Sequence, residues 1–231
     1  MTELSWLALW AVLFVAQHLG VTSTGLRDRL VGAMGERPYI GVYSVVSIVV
    51  LVLLVRAYNA ATPSVLLWPT FEWLRWVPLL LMPVALLLVI GGVLTRNPSS
   101  VVVLDDGEEL PVTGVMRITR HPVQSGILIW ALSHLLANGD LPSLLFFGAF
   151  ALVSGWGMAL IDRRKQGTFG ARWDAFCEAT SVVPFAAIVQ GRQSLRLSEV
   201  GWLAPVVAAA AFIALWWGHL WVSGVPVGVG W

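Results

Sequence analysis

The chain has 231 residues, of which 58% are hydrophobic and only 12% charged, and it contains thirteen tryptophans. A soluble domain of this length does not need so much apolar surface, so the composition predicts a membrane protein. The net charge of +1, without a basic cluster interleaved with aromatic residues, argues against a nucleic-acid partner.

Six apolar segments approach the length of about 20 residues that crosses a bilayer. In chain order, the predicted spans are Leu4–Val21, Tyr39–Tyr58, Trp73–Leu94, Val123–Ala137, Leu141–Ile161 and Trp202–Val222. They predict an all-α, polytopic membrane protein whose single domain covers residues 1–231 and whose main partner is the lipid bilayer. The first span is not expected to be a cleaved signal peptide, because no positive residue precedes it and no small-x-small site follows it.

Basic residues fall in alternate loops of this arrangement. Twelve of the 14 lie between spans one and two, three and four, or five and six, while Arg56 and Arg75 lie at span edges. The twelve are Arg27, Arg29, Arg37, Arg96, Arg117, Arg120, Arg163, Arg164, Lys165, Arg172, Arg192 and Arg196. The positive-inside rule places such loops in the cytoplasm. The sequence therefore predicts a membrane protein with both termini on the side opposite the cytoplasm.

Several further segments carry weaker signals. Leu104–Pro111 is acidic and is expected to be a solvated loop. Asp162–Phe185 mixes basic with aromatic residues, which predicts a short amphipathic helix on the membrane surface, and a lid over a site between the spans is compatible with it. The sole cysteine, Cys177, excludes an intramolecular disulfide and is expected to act as a small hydrophobe.

Residues near the predicted outer span ends indicate an interfacial aromatic belt: Trp6, Trp10, Trp68, Trp73, Trp76, Trp216, Trp217, His219, Trp221 and Trp231.

Two histidines lie inside predicted spans. His18 is late in span one, and His134 is near the end of span four. Ionisable residues within a membrane are costly and usually face the interior of the helix bundle, so each is a candidate functional residue. The alternative is a neutral histidine that only hydrogen-bonds to a neighbouring helix.

His121 and His134 are expected to have different roles. Thirteen helical positions separate them, which turns the helix by about 220° and rises by about 20 Å, so the two rings cannot bind one metal ion. Pro122 suits the first turn of a helix, which places Arg120 and His121 at a helix mouth facing the cytoplasm, suited to an anion.

The helix face that carries His134 is apolar and partly aromatic. It contains Trp130, Ala131 and Asn138, at offsets of minus four, minus three and plus four from the histidine. A flat hydrophobic cofactor could lie against such a wall. Neutral imidazole is a common axial ligand of haem iron, so His18 and His134 together would suit a six-coordinate haem b. That pairing requires similar depths; otherwise His18 matches His121 better in depth.

Three stretches resemble the NnrU family of bacterial membrane proteins. They are Thr113–Asp140 (TGVMRITRHPVQSGILIWALSHLLANGD), Gln17–Leu30 (QHLGVTSTGLRDRL) and the segment within Asp162–Arg192. The likeness extends over residues 5–195, and the last predicted helix, about 202–222, lies beyond it. It implies a protein of the bacterial inner membrane, with both termini in the periplasm, and a link to nitrite and nitric oxide metabolism in denitrifying bacteria.

The order Arg-His-Pro, Trp, His is also similar to that of the plant 15-cis-ζ-carotene isomerases. This resemblance implies haem b with His18 and His134 as axial ligands, and an iron redox state that controls isomerisation of a cis double bond in a hydrophobic substrate. The resemblance is equally compatible with a redox partner in place of a hydrophobic substrate. Ala131 stands where the isomerases carry a cysteine, so a thiolate ligand switch is excluded here. Residues expected around the cofactor are His18, Arg120, His121, Ala131, His134 and Asn138.

The helix mouth offers an alternative function. Arg120, His121 and the later Asp162 resemble the S-adenosylmethionine site of the isoprenylcysteine and phospholipid methyltransferases, although basic residues follow Asp162 where those enzymes carry an acidic pair. This likeness implies a distantly similar fold. Three classes remain open: a haem b protein with a redox or isomerase role, a membrane methyltransferase, and a non-catalytic accessory membrane protein.

Overall fold

The chain forms a bundle of helices joined by short connections. A computed structural model describes residues 2–21, 24–63, 65–100, 109–224 and 227, and no strand is present in those ranges. The helices are α1 (Glu3–Val15), α2 (Leu26–Met34), α3 (Glu36–Ala60), α4 (Trp76–Leu94), α5 (Pro122–Ala137), α6 (Leu141–Phe169), α7 (Ala171–Ala179), α8 (Ala186–Val189), α9 (Leu197–Val200) and α10 (Leu203–Ser223). Ala16–Val21 continues α1 as a π-helical turn.

Five helical segments are long and apolar enough to cross a bilayer: Glu3–Val21, Glu36–Ala60, Glu72–Leu94, Leu141–Phe169 and Leu203–Ser223. They confirm five of the predicted spans. The sixth, α5, has 16 residues, or about 24 Å of helix, which is less than the hydrocarbon thickness of about 30 Å. We therefore describe a polytopic all-helical membrane protein in which one helix of the bundle is short.

The helices leave wide apolar faces uncovered. On α3, for example, Val45, Ile48 and Val52 are each about half exposed or more, at 61%, 60% and 49%. In water such a surface would be unfavourable in proportion to its area. These faces therefore contact lipid, which agrees with the predicted bilayer partner.

Each buried helix packs on several others. α5 packs between α4 and α6, α1 packs on α3 and α6, and α10 packs mainly along α4. Among the described residues, the backbones of α5 and α10 make no extended contact.

Aromatic side chains fill the centre of the bundle. Phe14 of α1, Trp130 of α5 and Phe150 of α6 form one layer, with ring centroids 4.7 Å apart for Phe14 and Phe150 and 5.0 Å apart for Trp130 and Phe150. Tyr58 stacks on Phe146 nearby at 4.3 Å. The layer divides the interior into two halves, one toward the arginine-rich loops and one toward the opposite end.

The segment Asp162–Phe185 contains a short helix, α7, with a buried aromatic face and exposed acidic residues. Its first eight residues extend α6, and α7 turns back beneath the bundle. Trp173 and Phe176 of α7 are 1% and 3% exposed, and they pack on the buried Met116 instead of on lipid. The aromatic residues therefore cover the arginine-rich end of the molecule.

Tryptophan placement agrees with the belt. Six of the predicted belt residues are more than 40% exposed: Trp6, Trp73, Trp76, Trp216, Trp217 and Trp221. Trp231 and most of the acidic segment Leu104–Pro111 lie outside the described residues.

Candidate functional site

Arg120, His121 and Asp162 form a compact charged cluster where α5 begins. Asp162 lies on α6, 41 residues after His121, and its Oδ1 accepts a hydrogen bond from His121 Nε2 at 2.9 Å. The Arg120 guanidinium binds the same carboxylate, with Nη2 2.7 Å from Oδ2 and Nε within 3.2 Å of both oxygens. The residues predicted to act together at the helix mouth are therefore brought together.

His121, predicted at a helix mouth facing the cytoplasm, is closed off from solvent. Its side chain is fully buried, because α6 and the segment that follows α7 cover the start of α5. Pro122 does begin α5, as predicted. With Nε2 bonded to Asp162, the other ring nitrogen, Nδ1, has no hydrogen-bond partner in the described structure.

A strap made of residues 180–185 closes this cluster. The Arg120 amide donates to the Ser181 carbonyl at 2.9 Å, and the Phe185 amide donates to the Ile118 carbonyl at 2.8 Å. Phe185 adopts a left-handed backbone with φ of 66°, which is uncommon for a bulky residue. In this left-handed conformation the Phe185 amide bonds to the Ile118 carbonyl. That bond fixes the strap over the start of α5.

An open pocket of about 550 Å³ lies beside the cluster, against the strap. Its lining residues are Arg120, Cys177, Glu178, Thr180, Ser181, Val182, Val183, Ala186, Gln190 and Arg192. Arg192 donates to the Thr180 carbonyl at 2.7 Å and to Gln190, so its charge is held by neutral oxygens. Burial raises the pKa of the Cys177 thiol, so it is not an activated nucleophile at neutral pH and behaves as the predicted small hydrophobe.

A second ion pair joins α9 to the turn before α5. Arg117 Nε lies 2.7 Å from Glu199 Oε2, and Arg117 Nη2 lies 3.0 Å from Oε1. The Gly114 amide donates to the same carboxylate at 3.2 Å. The Arg117 hydrogen bonds, aided by that amide, lower the pKa of Glu199 to about 2.

This depressed pKa predicts a loss of stability in acid. A carboxyl with a folded pKa near 2 and a reference pKa of 4.5 stabilises the fold above pH 4.5, and the contribution disappears as the pH falls toward 2. We expect the difference in unfolding temperature between the wild type and Glu199→Gln to be largest above pH 4.5 and to shrink to near zero at pH 2. Thermal unfolding followed by tryptophan fluorescence measures it. Arg117→Gln should remove the same pH dependence, and a difference that is constant with pH would contradict the assignment.

His134 lies at the opposite end of α5, in an aromatic environment. Its Nδ1 donates to the Trp130 carbonyl at 2.9 Å, which leaves the lone pair of the neutral ring on Nε2. The ring centroid lies 5.3 Å from that of Phe147 and 5.7 Å from that of Trp130. This is the apolar, partly aromatic wall that the sequence predicts.

His18 lies in the π-helical turn at the end of the first span. Its Nδ1 donates to the Phe14 carbonyl at 2.8 Å, and its ring lies 4.4 Å from the Phe14 ring and 6.2 Å from Tyr43. The neighbouring Gln17 donates to Ser47 Oγ at 2.5 Å. Single π turns within helices are frequent at functional sites, and here the turn directs two polar side chains toward α3.

The described contacts place His18 and His134 at different depths. Phe14, Phe150 and Trp130 share one layer, and each histidine lies four residues beyond a member of it. α1 runs toward the arginine-rich end while α5 runs away from it, so the histidines lie one turn, about 6 Å, to opposite sides. Their separation in depth is therefore about 12 Å, and the ring contacts of the described residues do not join them.

A histidine that the sequence did not single out lies beside His134. The ring of His219, on α10, is 6.5 Å from that of His134, with 27° between the two planes. His219 was expected to be only a belt residue. Helical periodicity and composition place His219 near the end of a span, but they cannot show which other helix its ring faces.

Ala131 and Asn138, predicted to lie around a cofactor, contact other parts of the helix bundle. Ala131 is fully buried in the core cluster that includes Phe14. Asn138 ends α5, where its Nδ2 donates to the His134 carbonyl at 2.8 Å. Among the residues that the structure describes, no group of three or more metal-ligating side chains is present.

Apolar helices around an aromatic layer, with a charged cluster at one end and histidines at the other, define a polytopic all-helical membrane protein. The chain belongs to the NnrU family, whose model matches residues 6–227. That match confirms the family resemblance carried by the Arg-His-Pro segment.

The curated relatives are plant enzymes. The chain is 42% identical over 85 residues to the chloroplastic 15-cis-zeta-carotene isomerase of Zea mays, and 41% identical over 86 residues to that of Arabidopsis thaliana. Each alignment covers 36% of this chain and 23% of the relative, so the chain matches only about a quarter of those enzymes. No solved structure matches the chain significantly.

Proposed function

We propose that this NnrU-family protein binds haem b at His134 and has a redox or cis–trans isomerase-like role. The observation that carries the proposal is the Nδ1 bond of His134 to the Trp130 carbonyl, which leaves Nε2 as the coordinating nitrogen. Ligating histidines typically bond their other ring nitrogen in this way. The isomerase names of the relatives support a cis double bond in a hydrophobic molecule as the target.

The residues around His134 suit a haem. The Trp130 and Phe147 rings form an apolar wall against which a flat macrocycle packs, and Ala131 leaves no thiol as a competing ligand. Bound haem would supply one-electron chemistry or a Lewis-acidic iron, while these side chains would orient it and exclude water. Sharing one iron with His18 would require closing the separation in depth of about 12 Å, so the proposal rests on His134 alone.

We also propose an orientation and a physiological setting. Twelve of the 14 basic residues lie in alternate loops, which supports a bacterial inner membrane with the arginine-rich end in the cytoplasm and both termini in the periplasm. Family membership supports a link to nitrite and nitric oxide metabolism.

The test is a reduced-minus-oxidised absorption spectrum of the detergent-purified protein, with haem per chain measured by the pyridine haemochrome method. We expect a b-type spectrum, and a loss of haem of at least about tenfold in His134→Ala, since even outer-sphere partners of a metal site contribute that much affinity. Leu136→Ala, a neighbouring exposed position, is the matched control and should retain haem. A haem-free wild type obtained in normal yield would overturn the proposal.

Methyl transfer is the second candidate function. Its support is the convergence of Arg120, His121 and Asp162 beside the pocket of about 550 Å³. Calorimetric titration with S-adenosylmethionine tests it: saturable binding that is lost when Arg192→Ala opens the pocket wall would favour it. A protein that binds neither haem nor S-adenosylmethionine would fit the accessory role.

A further inference from the structure

The open pocket of about 550 Å³ beside the strap lies at the arginine-rich end of the bundle, away from His134 at the other end of α5. We infer that this pocket binds the headgroup of a zwitterionic aminophospholipid. The phosphate lies on Arg120 and Arg192, and the ammonium lies on Glu178. The inference goes beyond the proposed function and does not depend on it, and the lipid is a bound ligand that undergoes no reaction.

Two guanidinium groups in the pocket keep unused hydrogen-bond donors. An arginine side chain has five N–H groups. Arg120 uses one on Nε and one on Nη2 for Asp162, so three are left over among the described contacts. Arg192 uses four, on the Gln190 side chain and on two backbone carbonyls, so one is left on Nη2. These donors suit the oxygens of a phosphate, whose geometry a guanidinium matches.

The unused donors are accessible, and one of the two charges is not balanced. Arg120 Nη1 bonds to no described atom and is not a buried polar atom, so a ligand in the pocket can reach it. Asp162 balances the charge of Arg120. Arg192 is exposed and contacts only neutral oxygens, with no ion pair to a described carboxylate. Its charge is therefore available to an anion.

The pocket also contains one acidic side chain. Glu178 lines it and is exposed, and its carboxylate forms no ion pair with a described residue. Arg192 bonds to the backbone carbonyl of Glu178 and not to this carboxylate. A purely anionic ligand would be repelled by Glu178, whereas a zwitterion pairs its ammonium with Glu178 and its phosphate with the arginines. The charges therefore favour an aminophospholipid over an anionic phospholipid.

The rim of the pocket is apolar along the strap and α8. Val183, which lines the pocket, is 66% exposed, and the neighbouring Phe185 and Val189 are 40% and 85% exposed. Apolar side chains that protrude beside basic residues are typical of segments at the membrane interface. The acyl chains of a lipid whose headgroup fills the pocket would cover these side chains. A water-soluble phosphate ester would leave them uncovered.

The position of the pocket in the bundle suits a headgroup. Arg120 lies just before α5, whose rise of about 24 Å is shorter than the hydrocarbon core of about 30 Å. The strap that lines the pocket covers this recessed helix start. Arginine side chains near the ends of membrane helices direct their charges to the headgroup layer. The phosphate of a lipid therefore lies at the level of Arg120 and Arg192.

Native mass spectrometry of the delipidated full chain in detergent tests the site. The probes are phosphatidylethanolamine, phosphatidylglycerol and phosphatidylcholine with identical acyl chains. We expect one saturable phosphatidylethanolamine per chain, bound at least about tenfold more tightly than the other two lipids. Phosphatidylglycerol has no ammonium for Glu178, and the quaternary ammonium of phosphatidylcholine has no N–H to donate.

Substitutions in the pocket test the role of each charge. Arg192→Gln should weaken phosphatidylethanolamine binding at least about tenfold, because it removes a charge-assisted hydrogen bond to the phosphate. Glu178→Gln should abolish the preference over phosphatidylglycerol while lipid binding persists. Arg163→Gln on α6 is the matched control: it removes an exposed positive charge at the same end but outside the pocket, and it should bind as the wild type does.

A second variant keeps the test decisive if Arg192→Gln does not fold. Ala186→Trp fills the pocket from the start of α8 without changing any charge, and it should abolish the lipid adduct. Lipid binding that survives in folded Ala186→Trp would overturn the inference.

Three further results would contradict the site. Equal weakening in Arg163→Gln and Arg192→Gln would mean that lipids are attracted only by the overall charge of this end. Soluble glycerophosphoethanolamine that binds as tightly as the intact lipid would assign the pocket to a water-soluble ester. S-adenosylmethionine bound in the pocket, with no lipid adduct, would assign it to that cofactor. A haem-free protein that keeps the lipid adduct would overturn the proposed function and support this inference.

Discussion

Replacing Asp162 with alanine should lower the free energy of unfolding by about 3 kcal/mol, because one carboxylate balances two basic side chains inside the fold. Arg120 and His121 are 14% and 0% exposed at the side chain, and both bind Asp162. Without it, a guanidinium remains largely buried with no counter-charge. Asp162 itself is 21% exposed, which places the expected loss at the lower end of the range for buried pairs.

The measurement is unfolding by sodium dodecyl sulfate titration in mixed micelles, followed by tryptophan fluorescence. Asp174→Ala on α7 is the matched control: its carboxylate is exposed and bonds only to Gln166, so its loss should cost less than about 0.5 kcal/mol. In the double variant with Arg120→Ala, much of the stability should return, since the unpaired charge is removed as well. An Asp162→Ala protein as stable as the control would show that the cluster contributes no stability.

Five of the six apolar spans and the start of α5 follow from local sequence and are confirmed. A run of about 20 apolar residues requires a helix in lipid, since every backbone polar group must be satisfied within the segment. Pro122 marks the first turn of α5 because its missing N–H costs nothing there. Such features depend on nearest neighbours along the chain, which the sequence displays directly.

Burial and lateral order depend on contacts between distant segments. His121 looks solvent-accessible beside Arg120 in the sequence, yet α6 and the strap cover it completely. In the sequence His219 looks like one more belt residue, yet its ring lies 6.5 Å from that of His134. Helical periodicity states which face a residue occupies on its own helix, but not which helix that face meets.

The two polar regions occupy opposite ends of the bundle and differ in chemistry. The cluster of Arg120, His121 and Asp162 is charged and internally paired. The region of His134 and His219 is lined by rings, with Trp130 and Phe147 beside His134. The proposed haem site lies in the second region, whereas the first region stabilises the short helix that carries His134.

That short helix depends on one close approach to α4. Gly126 of α5 faces α4 where an added Cβ would come within 2.5 Å of the Ala85 carbonyl oxygen and 2.6 Å of Val89 Cγ2. The first of these atoms is backbone and cannot move aside without shifting α4. Small residues at such interfaces let membrane helices pack through van der Waals contact, which replaces the hydrophobic effect as the driving force.

Gly126→Ala should therefore destabilise the protein by about 2 kcal/mol through overpacking, although alanine is the better helix former. Gly157→Ala on α6 is the matched control: no heavy atom lies within 4 Å of the added Cβ, so the same change should stabilise by up to about 1 kcal/mol. Unfolding in dodecyl sulfate measures the change in the free energy of unfolding, which should be a decrease for Gly126→Ala and an increase for Gly157→Ala. Because α5 carries His134, the proposed haem site predicts that Gly126→Ala also weakens haem retention and that Gly157→Ala does not. Equal effects of the two substitutions would mean that α4 and α5 are not in the close contact described.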